Sequence, residues 1–117
     1  MGIPVTEHVR EVQAYVQAHL SEKITVSEIA LSCGLNASYL NTCYREQTGE
    51  SVSAYIRRMK ISRAAELLCG TELSLAEICA VLGYFDQSHF SRAFRAVTGA
   101  TPGSYRALSR GKNGNPV

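Results

Sequence analysis

Polar side chains between positions 87 and 95 are the residues of this 117-residue sequence best suited to contact another molecule. Apolar residues recur there at the spacing of one helix face: Phe90, Ala93, Phe94 and Val97. The 3.6-residue period directs the remaining polar residues outward together: Gln87, Ser88, Ser91, Arg92 and Arg95. Glutamine can pair with adenine, arginine can donate two hydrogen bonds to guanine, and serine can meet a base or a phosphate. This face is a candidate for reading base edges; the alternative is an ordinary solvated helix face.

The residues before this face predict that it follows a tight turn. An apolar run ends at Leu82, Gly83 follows, and Asp86 is suited to cap a new helix. Upstream, Ser74 and Glu77 have the spacing of a capping box, which marks the start of the preceding helix. Helix, glycine turn and helix is the plan of a helix-turn-helix motif, whose second helix enters the DNA major groove.

The same pattern occurs twice in the chain. The segment 25–30 matches 74–79 at an offset of 49 positions, and beyond the turn the offset becomes 50, so that Asn36 aligns with Asp86. One extra residue in the second turn explains the change. Repetition of this length indicates two related structural units. In the first copy, the corresponding outer face presents Ser38, Asn41, Thr42 and Arg45.

A long helix without an internal breaker is predicted between the copies, from about 52 to 68. Its apolar residues shift phase along its length, which suits a connector that packs against one subdomain at its start and the other at its end. Its polar surface is predicted to carry Arg57, Arg58, Lys60 and Arg63. Some of these side chains could bind phosphates, and a solvated basic face is the alternative.

Composition limits the fold and the functional class. Strand-type alternation is lacking, so we expect an all-α fold. No apolar run approaches the roughly 18 residues of a membrane span, so we expect a soluble, cytoplasmic protein without membrane contact. The net charge is +2, but residues 78–117 hold five basic side chains against one acidic, which suits contact with a polyanion.

No cofactor, metal site or catalytic site is predicted. The cysteines are Cys33, Cys43, Cys69 and Cys79, and none lies in a CxxC pair. We interpret them as buried, reduced thiols. No His/Asp/Glu or Cys/His set recurs at a spacing that would assemble an active site, so we do not expect an enzyme.

The second copy closely resembles the signature of the AraC/XylS family of bacterial transcription regulators. The resemblance lies in Glu77-Ile78, Gly83-Tyr84, Ser88, Phe90, Ser91-Arg92, Phe94-Arg95, Thr98-Gly99, Thr101-Pro102 and Tyr105-Arg106. It extends over about residues 6–108. It implies seven helices forming two helix-turn-helix subdomains joined by a long helix, with both recognition helices in successive major-groove segments.

The resemblance also implies which residues contact DNA. Base-reading positions fall on Ser38, Asn41, Thr42, Gln87, Ser88 and Arg92. Phosphate contacts are expected from Arg45, Arg57, Arg58, Ser91, Arg95 and Arg106, and from the helix N-termini at Val26 and Leu75. Arg92 is the strongest single candidate, because a bidentate arginine–guanine pair contributes about 1–3 kcal/mol of discrimination.

The expected organisation is a first helix-turn-helix subdomain at 1–50, a connecting helix at 51–69, a second subdomain at 70–109 and a disordered tail at 110–117. Double-stranded DNA is the expected partner, with RNA polymerase as a second. The resemblance implies a separate effector or dimerisation domain in the full-length protein. We therefore favour an excised, monomeric C-terminal domain, located at the bacterial nucleoid; a small standalone regulator is the alternative.

One alternative function remains open from the sequence. A helical interaction module that contacts RNA polymerase without reading bases would need the same core. It would not need Gln87 and Arg92 on its surface, and its affinity for DNA would show no sequence preference.

Overall fold

The computed structural model describes the backbone of residues 5–114 and the side chains of residues 7–110. Within these residues the chain forms seven α-helices and no β-strand, which confirms the all-α fold. The helices are α1 Val5–Ala18, α2 Val26–Cys33, α3 Ala37–Thr48, α4 Val52–Gly70, α5 Leu75–Val81, α6 Gln87–Thr98 and α7 Pro102–Gly114. Among the helices so described, none is long and apolar enough to cross a membrane.

The chain divides into two compact units, Met1–Met59 and Lys60–Val117. Helix α4 contributes to the hydrophobic core of each. Its first half buries Val52, Tyr55 and Ile56 in the first core, and its second half buries Ile61, Ala64 and Leu68 in the second. The apolar face of α4 therefore shifts along the helix because its first half packs in the core of the first unit and its second half in the core of the second.

In the first unit, α1, α2 and α3 pack on one another and on the start of α4. Val12 and Val16 of α1 are fully buried, as are Ile29 of α2 and Leu40 of α3. The Tyr44 ring lies 5.8 Å from the Tyr55 ring, so α3 and the start of α4 share an aromatic contact.

In the second unit, aromatic residues join the turn, α6 and α7. The Phe90 ring lies 5.2 Å from Tyr84 in the turn, and the Phe94 ring lies 5.2 Å from Tyr105 in α7. Phe90 and Phe94 are fully buried, as their spacing predicts. The prediction that Val97 points inward is wrong, since 43% of it is exposed. Val97 lies in the last turn of α6, just before the chain turns at Gly99.

Both turns end their first helix in the same way. The N–H of Leu35 donates to the carbonyl of Ala30 at 2.9 Å, and the N–H of Tyr84 donates to the carbonyl of Cys79 at 2.9 Å. In each case the residue before the donor is a glycine with positive φ, 73° at Gly34 and 71° at Gly83. A side chain at either glycine would strain the backbone, so the turn requires this residue.

The repeat also holds at the starts and ends of helices. Both capping boxes form as predicted, Thr25 with Glu28 and Ser74 with Glu77. At the C-terminus of α3, the Thr48 hydroxyl donates to the Tyr44 carbonyl at 2.8 Å. The matching bond at the end of α6 joins Thr98 and Phe94 at 2.9 Å.

Helix α7 continues beyond the point where we expected a disordered tail to begin. It runs to Gly114, and residues 115–117 of the expected tail lie outside the described residues. The Arg110 side chain contributes to this extension, because its guanidinium donates to the Thr71 carbonyl at 2.7 Å and to a Glu72 carboxylate oxygen at 3.2 Å.

The cysteines are only partly as predicted. Cys43 and Cys79 are buried, Cys33 is half-buried and Cys69 is exposed. Burial raises the pKa of the Cys79 thiol, and the nearby Asp86 carboxylate adds to the shift. Cys69 lies near the end of α4, one residue past the buried Leu68, so its side chain leaves the core.

Candidate nucleic-acid interface

Helix α6 presents the polar face that the sequence predicts. Gln87, Ser88, Arg92 and Arg95 are all exposed, and Ser91 is half-buried. Within the described part of the chain, neither Arg92 nor Arg95 has a carboxylate within ion-pair distance. Both guanidinium groups can therefore bind an outside acceptor without first breaking an internal ion pair.

The start of α6 is fixed by its cap. The Asp86 carboxylate accepts a hydrogen bond from the N–H of Ser88 at 3.0 Å. This bond holds the first turn, where Gln87 and Ser88 lie next to each other. In helix-turn-helix proteins, the N-terminal residues of the second helix contact base edges, so a fixed first turn is what base reading requires.

Helix α3 is the counterpart in the first unit. Asn36 caps it by accepting from the N–H of Tyr39 at 2.8 Å, and Ser38, Thr42 and Arg45 are exposed. The exposed face of α3 carries the hydroxyl groups of Ser38 and Thr42. The exposed face of α6 carries the amide of Gln87 and the guanidinium of Arg92 in addition to a serine hydroxyl. Short hydroxyl side chains hydrogen-bond to many base edges, so this face has less power to discriminate among sequences.

Asn41, a predicted base reader, has an internal partner. It is half-buried, and its side-chain oxygen accepts from the N–H of Val52 at 2.9 Å, at the start of α4. Fifty positions later, Ser91 replaces Asn41 and Pro102 replaces Val52. Proline has no N–H, so the second unit needs no acceptor at that place. The paired change of Asn41 to serine and Val52 to proline between the two copies already indicates a structural role for Asn41, which we had predicted only as a base reader.

Two arginines predicted to bind phosphate also have internal partners. The Arg58 guanidinium lies 2.7 Å from a Glu50 carboxylate oxygen, and these hydrogen bonds are the main reason that the pKa of Arg58 is raised. Arg106 is half-buried and donates to the carbonyls of Leu68 at 3.0 Å and Thr71 at 3.2 Å, where α4 ends. In contrast, Arg57 is exposed.

The prediction that Lys60 lies on a polar surface is wrong. Lys60 is only 6% exposed, and its ammonium group donates to the carbonyl of Leu82, just after α5. It also lies 6.0 Å from the centre of the Tyr84 ring. A cation at the C-terminal end of a helix is favoured by the helix dipole. Lys60 therefore stabilises the turn that leads into α6, a role that its position in the sequence did not reveal.

The helix starts at Val26 and Leu75 are less suited to phosphate than we predicted. Glu28 accepts from the N–H of Thr25 at 3.0 Å, and Glu77 accepts from the N–H of Ser74 at 2.8 Å. Each box thus satisfies backbone donors internally. It also places a carboxylate at the helix start, where it would repel a phosphate.

Each unit thus has the architecture of a helix-turn-helix DNA-binding module: a capped helix, a glycine turn and a second helix with an exposed polar face. Comparison with known sequences identifies the family. A helix-turn-helix domain model matches residues 29–108, and the chain belongs to the AraC-type helix-turn-helix family of transcription regulators.

The curated relatives that match are longer than this chain. The arabinose operon regulatory protein of Escherichia coli is 34% identical over 105 residues, which cover 89% of this chain and 36% of that protein. The chain thus spans about a third of the length of the regulators it matches.

Solved structures have the same fold. The C-terminal domain of AraT, a response regulator from Geobacillus stearothermophilus, superposes with a TM-score of 0.82 at 32% identity, covering 91% of this chain and 86% of that one. The DNA-binding domain of the transcriptional factor AdpA, solved in complex with a target DNA, superposes with a TM-score of 0.84. AdpA is 23% identical and covers 97% of this chain and 99% of its own, so it shows the fold alone.

Proposed function

We propose that this chain is the sequence-specific DNA-binding domain of a bacterial transcription regulator, in which α3 and α6 enter adjacent major-groove segments of a promoter. The observation that carries the proposal is the exposed face of α6, where Gln87, Ser88 and Arg92 lie within two turns of a capped helix start. Membership of the AraC-type family supports it. So does the fold shared with AdpA, a protein whose structure contains a target DNA.

Base discrimination rests mainly on the second unit. The planar guanidinium of Arg92 matches the two major-groove acceptors of guanine, and the amide of Gln87 matches adenine. In the first unit, Ser38 and Thr42 supply weaker or water-mediated contacts. Asn41 acts mainly by holding the start of α4 against α3, because its side-chain oxygen already accepts the N–H of Val52.

Phosphate contacts come mainly from three exposed arginines that form no ion pair within the described residues: Arg45, Arg57 and Arg95. Arg58 and Arg106 contribute less, because binding a phosphate would break the bond of Arg58 to Glu50 and the bonds of Arg106 to two carbonyls at the end of α4. Ser91 is half-buried, so any phosphate contact it makes is through the edge of the α6 face.

In the intact regulator, this domain would bring an effector or dimerisation domain to a promoter and act there through RNA polymerase. The length of the curated relatives supports a further domain, since the chain spans about a third of them. A promoter-binding role would place the protein at the nucleoid in the bacterial cytoplasm.

A selection from a pool of random DNA duplexes tests the proposal. The wild-type chain and the variant Arg92→Ala are compared at fixed moderate salt. The control is Arg63→Ala, which removes an exposed arginine of α4 that pairs with Glu66 at 3.1 Å. We expect the wild type and the control to enrich the same site, and Arg92→Ala to lose preference at one base pair of it.

The opposite outcome would favour the interaction module. If the wild type binds without enriching any sequence, and Arg92→Ala binds equally well, the faces of α3 and α6 do not read bases. The exposed polar residues would then be an ordinary solvated surface.

A further inference from the structure

Phe85 is the one residue by which the second turn is longer than the first. Gly34 and Leu35 match Gly83 and Tyr84, through the same backbone hydrogen bond from the residue after the glycine. In the first unit the cap, Asn36, follows Leu35 directly. In the second, Phe85 stands between Tyr84 and the cap. It is 101% exposed, whereas the other phenylalanines, at 90 and 94, are fully buried.

The backbone on both sides of Phe85 is held in place. Before it, the N–H of Tyr84 donates to the Cys79 carbonyl, and the Tyr84 ring packs on Phe90. After it, Asp86 caps the N–H of Ser88. The Phe85 side chain therefore projects from a fixed backbone directly before α6. An exposed ring held in this way contributes no burial to the core of its own unit.

We infer that Phe85 is a specificity residue that packs against the 5-methyl group of a thymine in the major groove, beside the bases read by α6. This inference rests on the proposed function. Phe85 lies two residues before Gln87, the first residue of α6. It is therefore next to the N-terminal end of this helix, which is the end that contacts base edges in helix-turn-helix proteins.

The chemistry of the side chain selects the thymine methyl as its contact. A phenyl ring has no hydrogen-bond donor and cannot bind a phosphate or pair with a polar base edge. The thymine 5-methyl is the one apolar group on the major-groove edges of the bases, and phenylalanine is among the side chains that contact it. Contact between the Phe85 ring and the thymine methyl would remove both apolar groups from water.

The experiment uses the DNA site that the wild-type chain selects. Each thymine in the element whose recognition depends on Arg92 is replaced in turn by uracil, which lacks only the methyl group. Affinities of the wild type, Phe85→Ala and Phe85→Leu are measured by fluorescence anisotropy. The control is Leu108→Ala, which removes a 70% exposed apolar side chain from α7.

We expect one uracil replacement to weaken wild-type binding about fourfold, the equivalent of about 0.8 kcal/mol for one buried methyl. Phe85→Ala should bind thymine and uracil forms equally, Phe85→Leu should keep part of the difference, and Leu108→Ala should keep all of it. Because the Phe85 side chain is fully exposed, Phe85→Ala should unfold at the same temperature as the wild type.

Two results would overturn the inference and leave the proposed function standing. In one, no uracil replacement weakens the wild type although Arg92 still determines preference at its base pair. In the other, Phe85→Ala keeps the wild-type sensitivity to uracil. Failure of the wild type to select any site would overturn both the inference and the proposed function.

Discussion

Replacing Asn41 with alanine should destabilise the first unit much more than replacing its counterpart Ser91 destabilises the second. The Asn41 side chain is the acceptor for the N–H of Val52, whose side chain is completely buried. Leaving a buried donor without an acceptor costs about 1–3 kcal/mol. Since Asn41 is itself half-buried and water can enter after its removal, we expect a loss of about 1–2 kcal/mol in the free energy of unfolding. For Ser91→Ala we expect less than about 0.5 kcal/mol, because Pro102 has no N–H.

A second substitution tests the mechanism. Val52→Pro removes the N–H and copies the arrangement of the second unit. Position 52 tolerates proline at its backbone, because it is the first residue of α4 and the preceding Ser51 hydroxyl accepts from the N–H of Ala54 at 3.0 Å. In the Val52→Pro background, Asn41→Ala should cost less than about 0.5 kcal/mol, since no donor remains to be satisfied.

Urea unfolding followed by far-ultraviolet circular dichroism measures these differences, with the four proteins of the cycle compared under one condition. An equal cost of Asn41→Ala with valine and with proline at position 52 would show that Asn41 does not act by satisfying the N–H of residue 52. Ser91→Ala as destabilising as Asn41→Ala would equally contradict this role of Asn41.

Three further predictions concern residues with contrasting environments. Arg106→Ala should lower the free energy of unfolding by about 1–3 kcal/mol in the same urea assay, because two carbonyls lose a charged donor. Unchanged stability would show that these hydrogen bonds of Arg106 do not stabilise the fold. Arg45→Ala should make the negative slope of log affinity against log salt shallower by about 1, as salt titrations of DNA binding would show. Arg58→Ala should change this slope little, because Arg58 is paired with Glu50. Equal changes in the two variants would contradict this difference. Iodoacetamide at pH 8 should modify the exposed Cys69 before Cys79, because the Cys79 thiol is buried and its burial raises its pKa, as peptide mass mapping would show.

The fold could be predicted from the sequence because its signals are local and occur twice. The capping boxes, the glycine turns and the 3.6-residue spacing of Phe90 and Phe94 each specify local structure on their own. The structure confirms all of them. The end of α7 was not predictable in this way, because Arg110 stabilises it through contacts with residues 71 and 72, far away in the sequence.

The candidate interface was predictable in outline but not in the role of each residue. The polarity pattern identified the outer faces of α3 and α6, and the exposed Gln87 and Arg92 agree with it. The pattern does not tell which polar side chains have partners inside the protein. Asn41, Arg106 and Lys60 each satisfy backbone groups on another element, and such pairing depends on tertiary structure.

We propose that α3 and α6 read two separate elements of one DNA site. The most direct measurement is a selection from random duplexes with three proteins: the wild type, Thr42→Ala in α3 and Arg92→Ala in α6. We expect the wild type to enrich two elements about one helical turn apart, roughly 10 base pairs, and each variant to lose preference at a different element. Loss of preference at the same element in both variants, or an equal fall in affinity for every sequence, would contradict this proposal.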